Sequence, residues 1–144
     1  MIIDSLLQFS DAQALTSTAA STNVVPLSAE RRIGTGEPMA VVIVLDVASD
    51  GTTGDETYSV QVQSDTDVAF GSAASVGGAL SIPRGTAAGT KYVIPIGPGT
   101  ATETYLRLYY TLDGTTPTVT VTAFLQPLNA IQNEAYYADG FTIS

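Results

Sequence analysis

Tyr105-Leu106-Arg107-Leu108-Tyr109-Tyr110, then Asp113-Gly114-Thr115-Thr116-Pro117, then Thr118-Val119-Thr120-Val121-Thr122-Ala123-Phe124: this stretch decides the fold class. Both flanking runs alternate apolar and polar residues, the two-residue period of a strand with one buried face. The segment between them is built from turn formers. The spacing predicts a β-hairpin. Leu106, Leu108 and Tyr110 share the buried face of its first strand, and Tyr105, Arg107 and Tyr109 the other.

The same pattern recurs outward along the chain. Tyr58-Ser59-Val60-Gln61-Val62-Gln63 alternates strictly, with Tyr58, Val60 and Val62 inward. Met39-Ala40-Val41-Val42-Ile43-Val44-Leu45 is a continuous apolar run, as in a strand buried on both faces or crossing a sandwich core. Between these two, Asp50-Gly51-Thr52-Thr53-Gly54-Asp55 reads as a turn or hairpin loop. Ala79 to Ile82 and Tyr92 to Ile96 read as two strands, and Pro95 confines the second to an edge or a bulge. Val68 to Gly78, rich in Gly, Ser and Ala, predicts a long loop with at most one short strand. No segment carries a helical repeat long enough for a stable helix; the best candidate is a single turn near Asn129 to Ala135. Short strands, turn clusters and no helical pattern between them predict an antiparallel β-sandwich or jelly roll.

Thr16 to Thr22 is small and polar, with too little apolar surface to offset the entropy of ordering it alone. The C-terminal stretch after Phe124 also leaves the strand pattern while carrying Tyr136, Tyr137 and Phe141. A single domain is therefore expected in three parts. Residues 1–37 form an N-terminal arm with a first short strand, 38–125 a β-sandwich core, and 126–144 a tail packing on the core or on a neighbour.

Composition narrows the function classes. The chain has 144 residues, net charge −9 and only five Lys or Arg, with 13% charged residues in all. Five cations cannot line a phosphate groove, so neither nucleic acid nor an anionic membrane is an expected partner. The longest apolar run, Met39 to Leu45, is too short to span a bilayer, and Met1-Ile2-Ile3-Asp4 lacks the basic start of a secretory signal. The chain has neither His nor Cys, which removes the usual general base, the thiol nucleophile, disulfides and thiolate metal sites. We expect no enzyme, no cofactor and no resident metal. Asp50 with Asp55 and Glu56, and Asp65 with Asp67, could offer oxygens to Ca²⁺, but neither set has the EF-hand spacing and turn chemistry accounts for both. Gly34-Thr35-Gly36 lacks the GK[ST] ending of a phosphate loop and reads as a bend before the apolar strand.

Five pieces, in order, carry a family likeness: Phe9-Ser10-Asp11-Ala12-Gln13-Ala14, Ile33-Gly34-Thr35-Gly36-Glu37-Pro38, Tyr105 to Tyr110, Ala123-Phe124-Leu125, and a Tyr-x-x-Gly-Phe ending at Tyr137 to Phe141. Through them the chain resembles the capsid cement (decoration) proteins of tailed bacteriophages typified by the Bordetella phage cement protein. The resemblance implies a jelly roll with extended N- and C-terminal arms. It implies a structural protein on the outer face of an icosahedral head, made in the bacterial cytoplasm and bridging major capsid protein subunits. Its expected partners are the major capsid protein and further copies of itself, as dimers, with trimers left open. Read together with the arms, it marks Phe9, Asp11, Gln13, Arg31, Arg32, Glu37, Tyr136, Tyr137 and Phe141 as capsid-contacting residues, with Phe9 an apolar anchor. Tyr105, Arg107 and Tyr109, which share one strand face, suit an oligomer interface, where Tyr and Arg are enriched, with a covered sheet face as the alternative. The alternative function for such a sandwich is a carbohydrate- or receptor-binding domain of a virion.

Overall fold

The computed structural model describes residues 7–26, 39–96 and 105–127. Among these described residues nine strands follow one another: β1 (Gln8–Leu15), β2 (Ala19–Ala20), β3 (Val25–Pro26), β4 (Met39–Val47), β5 (Thr57–Asp65), β6 (Ala74–Ile82), β7 (Lys91–Ile96), β8 (Tyr105–Asp113) and β9 (Val119–Pro127). They form two antiparallel sheets. Sheet I has the order β1-β9-β4-β7, and sheet II the order β2-β8-β5-β6 with β3 also on β8. Counting β2 and β3 as one interrupted strand, this is the eight-strand jelly-roll order, and the fold is an open β-sandwich as expected.

The core lies between the sheets. Sheet I contributes Phe9, Leu15, Val41, Ile43, Leu45, Ile94, Ile96, Val119, Val121, Ala123 and Leu125, while Tyr58, Val60, Val62, Leu106, Leu108, Tyr110 and Leu112 face them from sheet II. Each is an inward position of a two-residue period, and burying one such aliphatic side chain is worth about 1.5–3 kcal/mol. The Met39–Leu45 run behaves as its composition requires. β4 is an interior strand, and Ala40 and Val42 are buried as well as the inward Val41, Ile43 and Leu45. Pro95 lies on β7, an edge strand, opposite Ala40.

Three expectations are corrected. Tyr105–Tyr110 and Thr118–Phe124 do not pair as a hairpin. β8 pairs with β5, β2 and β3, β9 pairs with β1 and β4, and Gly114 to Thr118 crosses from one sheet to the other. The Asp50–Asp55 loop likewise joins sheet I to sheet II and closes no hairpin. Alternation states which side chains face inward, but it is the same on both sheets of a sandwich and cannot say which sheet a strand joins. Secondly, β6 starts at Ala74, inside the expected loop. Its pairing with β5 shifts register between Val60 and Val62, opposite Gly77 and Gly78, so a bulge rather than side-chain alternation carries the strand through a stretch without pattern.

The third correction concerns the N-terminal arm. Residues 8–26, expected as arm with one short strand, supply three strands that close one side of the sandwich. β1 pairs with β9 from Gln8↔Phe124 to Leu15↔Val119, with irregularities around Ser10 and Gln13. The polar Thr16–Thr18 link and the two-residue strand β2 need no apolar surface of their own, because their backbone and hydroxyl groups pair with β8.

The connections divide between two poles. At the upper pole lie the links β1–β2, β4–β5, β6–β7 and β8–β9. At the lower pole lie the first residues of β1, β4 and β8, the last residues of β3, β7 and β9, and the β5–β6 loop.

Candidate functional site

The upper pole is a sealed cap. Asp50 N donates to Thr118 O at 2.9 Å and Gly85 N to Ser49 O at 2.9 Å, while Ser49 N donates to Thr86 O at 3.0 Å. The Tyr58 hydroxyl donates to Asp50 O at 3.0 Å and accepts from Thr118 N at 3.1 Å. Asp55 takes Thr115 N at 3.1 Å on one oxygen and the Thr115 hydroxyl at 2.8 Å on the other. Glu56, 1% exposed, accepts from Thr53 N and Gly54 N at 2.9 Å each and from the Thr53 hydroxyl. Of these carboxylates, Asp55 ties the β4–β5 loop to the β8–β9 crossing and Glu56 braces its own loop, while Ser49 joins the β6–β7 loop to them. Among the described residues no three carboxylates gather as metal ligands would. At the lower pole, Asp65 accepts from Asp67 N at 3.1 Å and Ser72 N at 2.8 Å, shaping the β5–β6 loop.

These hydrogen bonds stabilise the ionised forms. The Thr115 N–H and then the Thr53 and Thr115 hydroxyls hold Asp55 below its ordinary 3.8. The Thr53 hydroxyl holds Glu56 below 4.5, and the Asp67 and Ser72 N–H groups hold Asp65 below 3.8. A folded-state pKa below the unfolded value contributes stability that is complete above the ordinary carboxylate range and is lost as pH falls through the folded value. The melting temperature is therefore expected to hold from neutrality down to the carboxylate range and to drop below it. Glu56→Gln is expected to lower the melting temperature at pH 7 and to flatten the acid decline. An equally steep decline in that variant would remove Glu56 from this account.

The predicted capsid-contact residues fall into four groups. Phe9 is fully buried in the core, between strands of both sheets, and offers no exposed anchor. It follows Gln8 at the start of β1, and its carbonyl accepts from Asn23 N at 2.9 Å. Gln13 is half-buried and committed internally. Its Oε1 accepts from the Ser10 hydroxyl at 2.7 Å and Thr22 N at 3.0 Å, and its Nε2 donates to Ala20 O at 3.0 Å. Ser10 in turn shares a 2.7 Å hydrogen bond with the hydroxyl of Tyr110, so one polar chain staples β1 to sheet II across the open side of the sandwich. Burial pushes the Tyr110 hydroxyl well above the usual tyrosine range and keeps it neutral. Asp11 is exposed on the irregular part of β1, next to Ala12 at φ 46°. Arg31, Arg32, Glu37, Tyr136, Tyr137 and Phe141 lie outside the described residues, as does the Asn129–Ala135 turn.

Tyr105, Arg107 and Tyr109 do share a face, the outer face of sheet II, where all three are half-buried. Arg107 Nε donates to Gln63 Oε1 at 2.9 Å. Its guanidinium carbon lies 4.3 Å from the centroid of the Phe70 ring and 5.4 Å from that of Tyr109. Phe70 escapes sequence reasoning. Its only signal is an aromatic residue in a Gly/Ser/Ala-rich loop, and nothing in a two-residue period connects it to Arg107, far along the chain.

The Bbp16 family model matches residues 9–125, from Phe9 on β1 to Leu125 on β9. The chain belongs to the Bbp16 family. Bbp16 is a Bordetella phage protein family, and membership in it is consistent with a phage-associated protein. The Bbp16 match reaches every described strand, including the β1–β3 segment that composition alone assigns largely to an arm. Among curated proteins, none matches the chain.

Proposed function

We propose that this Bbp16-family protein is a capsid cement protein that binds the outer face of a phage head and bridges major capsid protein subunits. The observation that carries the reading is the division between the poles. The upper pole is sealed by its own hydrogen bonds. The strands on either side of residues 27–38, the strand that follows residue 7 and the strand that precedes residue 128 all meet those segments at the lower pole. Arg31, Arg32, Glu37, Tyr136, Tyr137 and Phe141 belong to those segments, so one end of the jelly roll would face the shell through all of them. Arg can pair bidentately with carboxylates, and Tyr and Phe supply apolar contact at low entropic cost. An acidic surface with few cations suits the outside of a DNA-filled shell. Many modest contacts repeated by symmetry would hold the shell without catalysis.

Purified protein added to shells lacking it is expected to co-sediment with them and to raise their disruption temperature. The double variant Arg31→Ala/Arg32→Ala is expected to bind about tenfold or more weakly, as loss of charge-assisted hydrogen bonds implies, while its own melting temperature stays unchanged. If the wild-type protein failed to co-sediment at any concentration, the cement reading would be lost.

A further inference from the structure

Two rows of paired residues cross the lower half of sheet I on its outer face, Gln8–Phe124–Val42–Val93 and Gln126–Ala40–Pro95. None of them belongs to the core between the sheets. Yet Phe124 is only 4% exposed, Val42 1% and Ala40 0%. A ring standing on an open sheet face keeps one side in water, so this face is covered. Every described strand is committed to one of the two sheets, and sheet II packs on the opposite side of sheet I. The described loops lie elsewhere: at the upper pole, between β2 and β3, and on the outer face of sheet II.

The cover is centred on β9 and β4. It thins at both edges of the sheet, where Gln8 and Val93 are half-buried and Pro95 is exposed. That distribution selects among the segments that adjoin the lower pole. Residues 1–6 join edge strand β1, and residues 97–104 leave from edge strand β7. Residues 27–38 carry Glu30, Arg31, Arg32 and Glu37, charges that an apolar face would have to desolvate. Residues 128–135 continue from β9 itself, in the middle of the closed area, and carry one charge, Glu134. Their Leu128, Ile131 and Ala135 fall at i, i+3 and i+7, one face of a helical stretch. Such a stretch reaches about 12 Å, and the path from β9 over β4 to β7 is about 10 Å, so it ends where the cover thins. Gln126 supplies an independent observation. Its Oε1 is buried with no hydrogen-bond partner among the described residues. A buried acceptor calls for a donor, and the first N–H groups of a helical turn have no partner within it.

We infer that residues 128–135 of the same chain fold back over the lower half of sheet I, with Leu128 and Ile131 packed on Phe124 and Val42 and a first-turn backbone N–H donating to Gln126 Oε1. The segment closes a second, smaller apolar layer outside the sandwich. It also fixes the point from which Tyr136 and Tyr137 leave the domain. A tail that departs from a fixed point has fewer residues to order when it meets a partner. The inference goes beyond the cement reading and does not rest on it, because it concerns the free protein and is tested without shells.

The test is methyl and aromatic NOE spectroscopy of the dilute, full-length wild-type protein. Cross-peaks are expected from the Leu128 and Ile131 methyl groups to the Phe124 ring and the Val42 methyls. Ile131→Asp is expected to abolish them and to raise the fluorescence of an added hydrophobic dye, while the resonances of Phe9 and Leu108 in the core stay in place. Absence of the Leu128 and Ile131 cross-peaks in the wild type would overturn the inference, as would cross-peaks to Phe124 from Ile2, Ile3 or Leu6 in their place. Unchanged dye fluorescence in a folded Ile131→Asp variant would overturn it too. In a sample mixing labelled and unlabelled protein, cross-peaks found only between molecules would give the cover to a second copy's tail, with the same consequence. The wild-type spectra need no variant, so a folding defect in Ile131→Asp cannot shield the inference.

Discussion

Phe9→Ala is expected to destabilise the protein by about 3–5 kcal/mol, the range for truncating a fully buried aromatic side chain. The residue has no exposed surface and packs into the cluster formed by both sheets. The surroundings can close only part of the cavity, because β1 is held to β9 by its ladder and to sheet II by the Ser10–Tyr110 hydrogen bond, while Asn23 N holds the Phe9 carbonyl. A loss of that size is a large fraction of the roughly 5–15 kcal/mol that typically holds a domain together. Equilibrium urea denaturation reads it directly as a fall in midpoint, with Asp11→Ala, at an exposed position of the same strand, as the control expected to stay within about 0.5 kcal/mol. An anchor waiting on an arm would behave in the opposite way. An unchanged midpoint for Phe9→Ala would return the residue to the surface and reopen the arm reading.

Gly114→Ala is the second large effect. Gly114 opens the crossing from β8 to β9 at φ 100°, and a Cβ there would stand 2.6 Å from Asp55 O and 2.7 Å from Glu56 Cα. Both neighbours are backbone, in the loop whose Asp55 and Glu56 carboxylates tie the cap together, so neither can yield without disturbing it. A left-handed φ costs a non-glycine residue about 1–3 kcal/mol and overpacking a similar amount, for a combined loss of about 2–6 kcal/mol. Gly54→Ala separates the two contributions. Gly54 has φ 82° but nothing within 4 Å of where an added methyl would sit, so it carries the backbone cost alone. Thermal melts of the two variants should differ clearly, with Gly114→Ala the less stable. Equal melting temperatures would mean that the close approach of the two upper-pole loops contributes nothing.

Much of the fold is legible in the residues. The alternation of Tyr58–Gln63 and Tyr105–Tyr110 identifies strands and their inward faces, and Tyr58, Val60, Val62, Leu106, Leu108 and Tyr110 are all buried as expected. The likeness carried by Phe9–Ala14 and the Tyr105–Tyr110 run agrees with the family match over residues 9–125. The candidate site is legible only in part. Alternation places Tyr105, Arg107 and Tyr109 on one face, whereas Phe70 reaches Arg107 by a loop excursion with no periodic signature. Phe9 and Gln13 defeat a local reading for a common reason. Low local apolarity says that a segment cannot fold alone, and it is silent on whether the rest of the same chain provides the surface it needs.

The division is physical. Backbone preference and side-chain alternation are local properties, and they suffice to establish an all-β chain with these inward residues. Composition adds the lack of His and Cys and a cation count too low for a phosphate groove. Strand partnership depends instead on contacts across wide separations, such as Ser10 with Tyr110 or Gln8 with Phe124, and no short-range preference encodes them. It takes the packed molecule to part β8 and β9 into opposite sheets, to make the first strand complete the core instead of extending from it, and to settle a loop aromatic on Arg107.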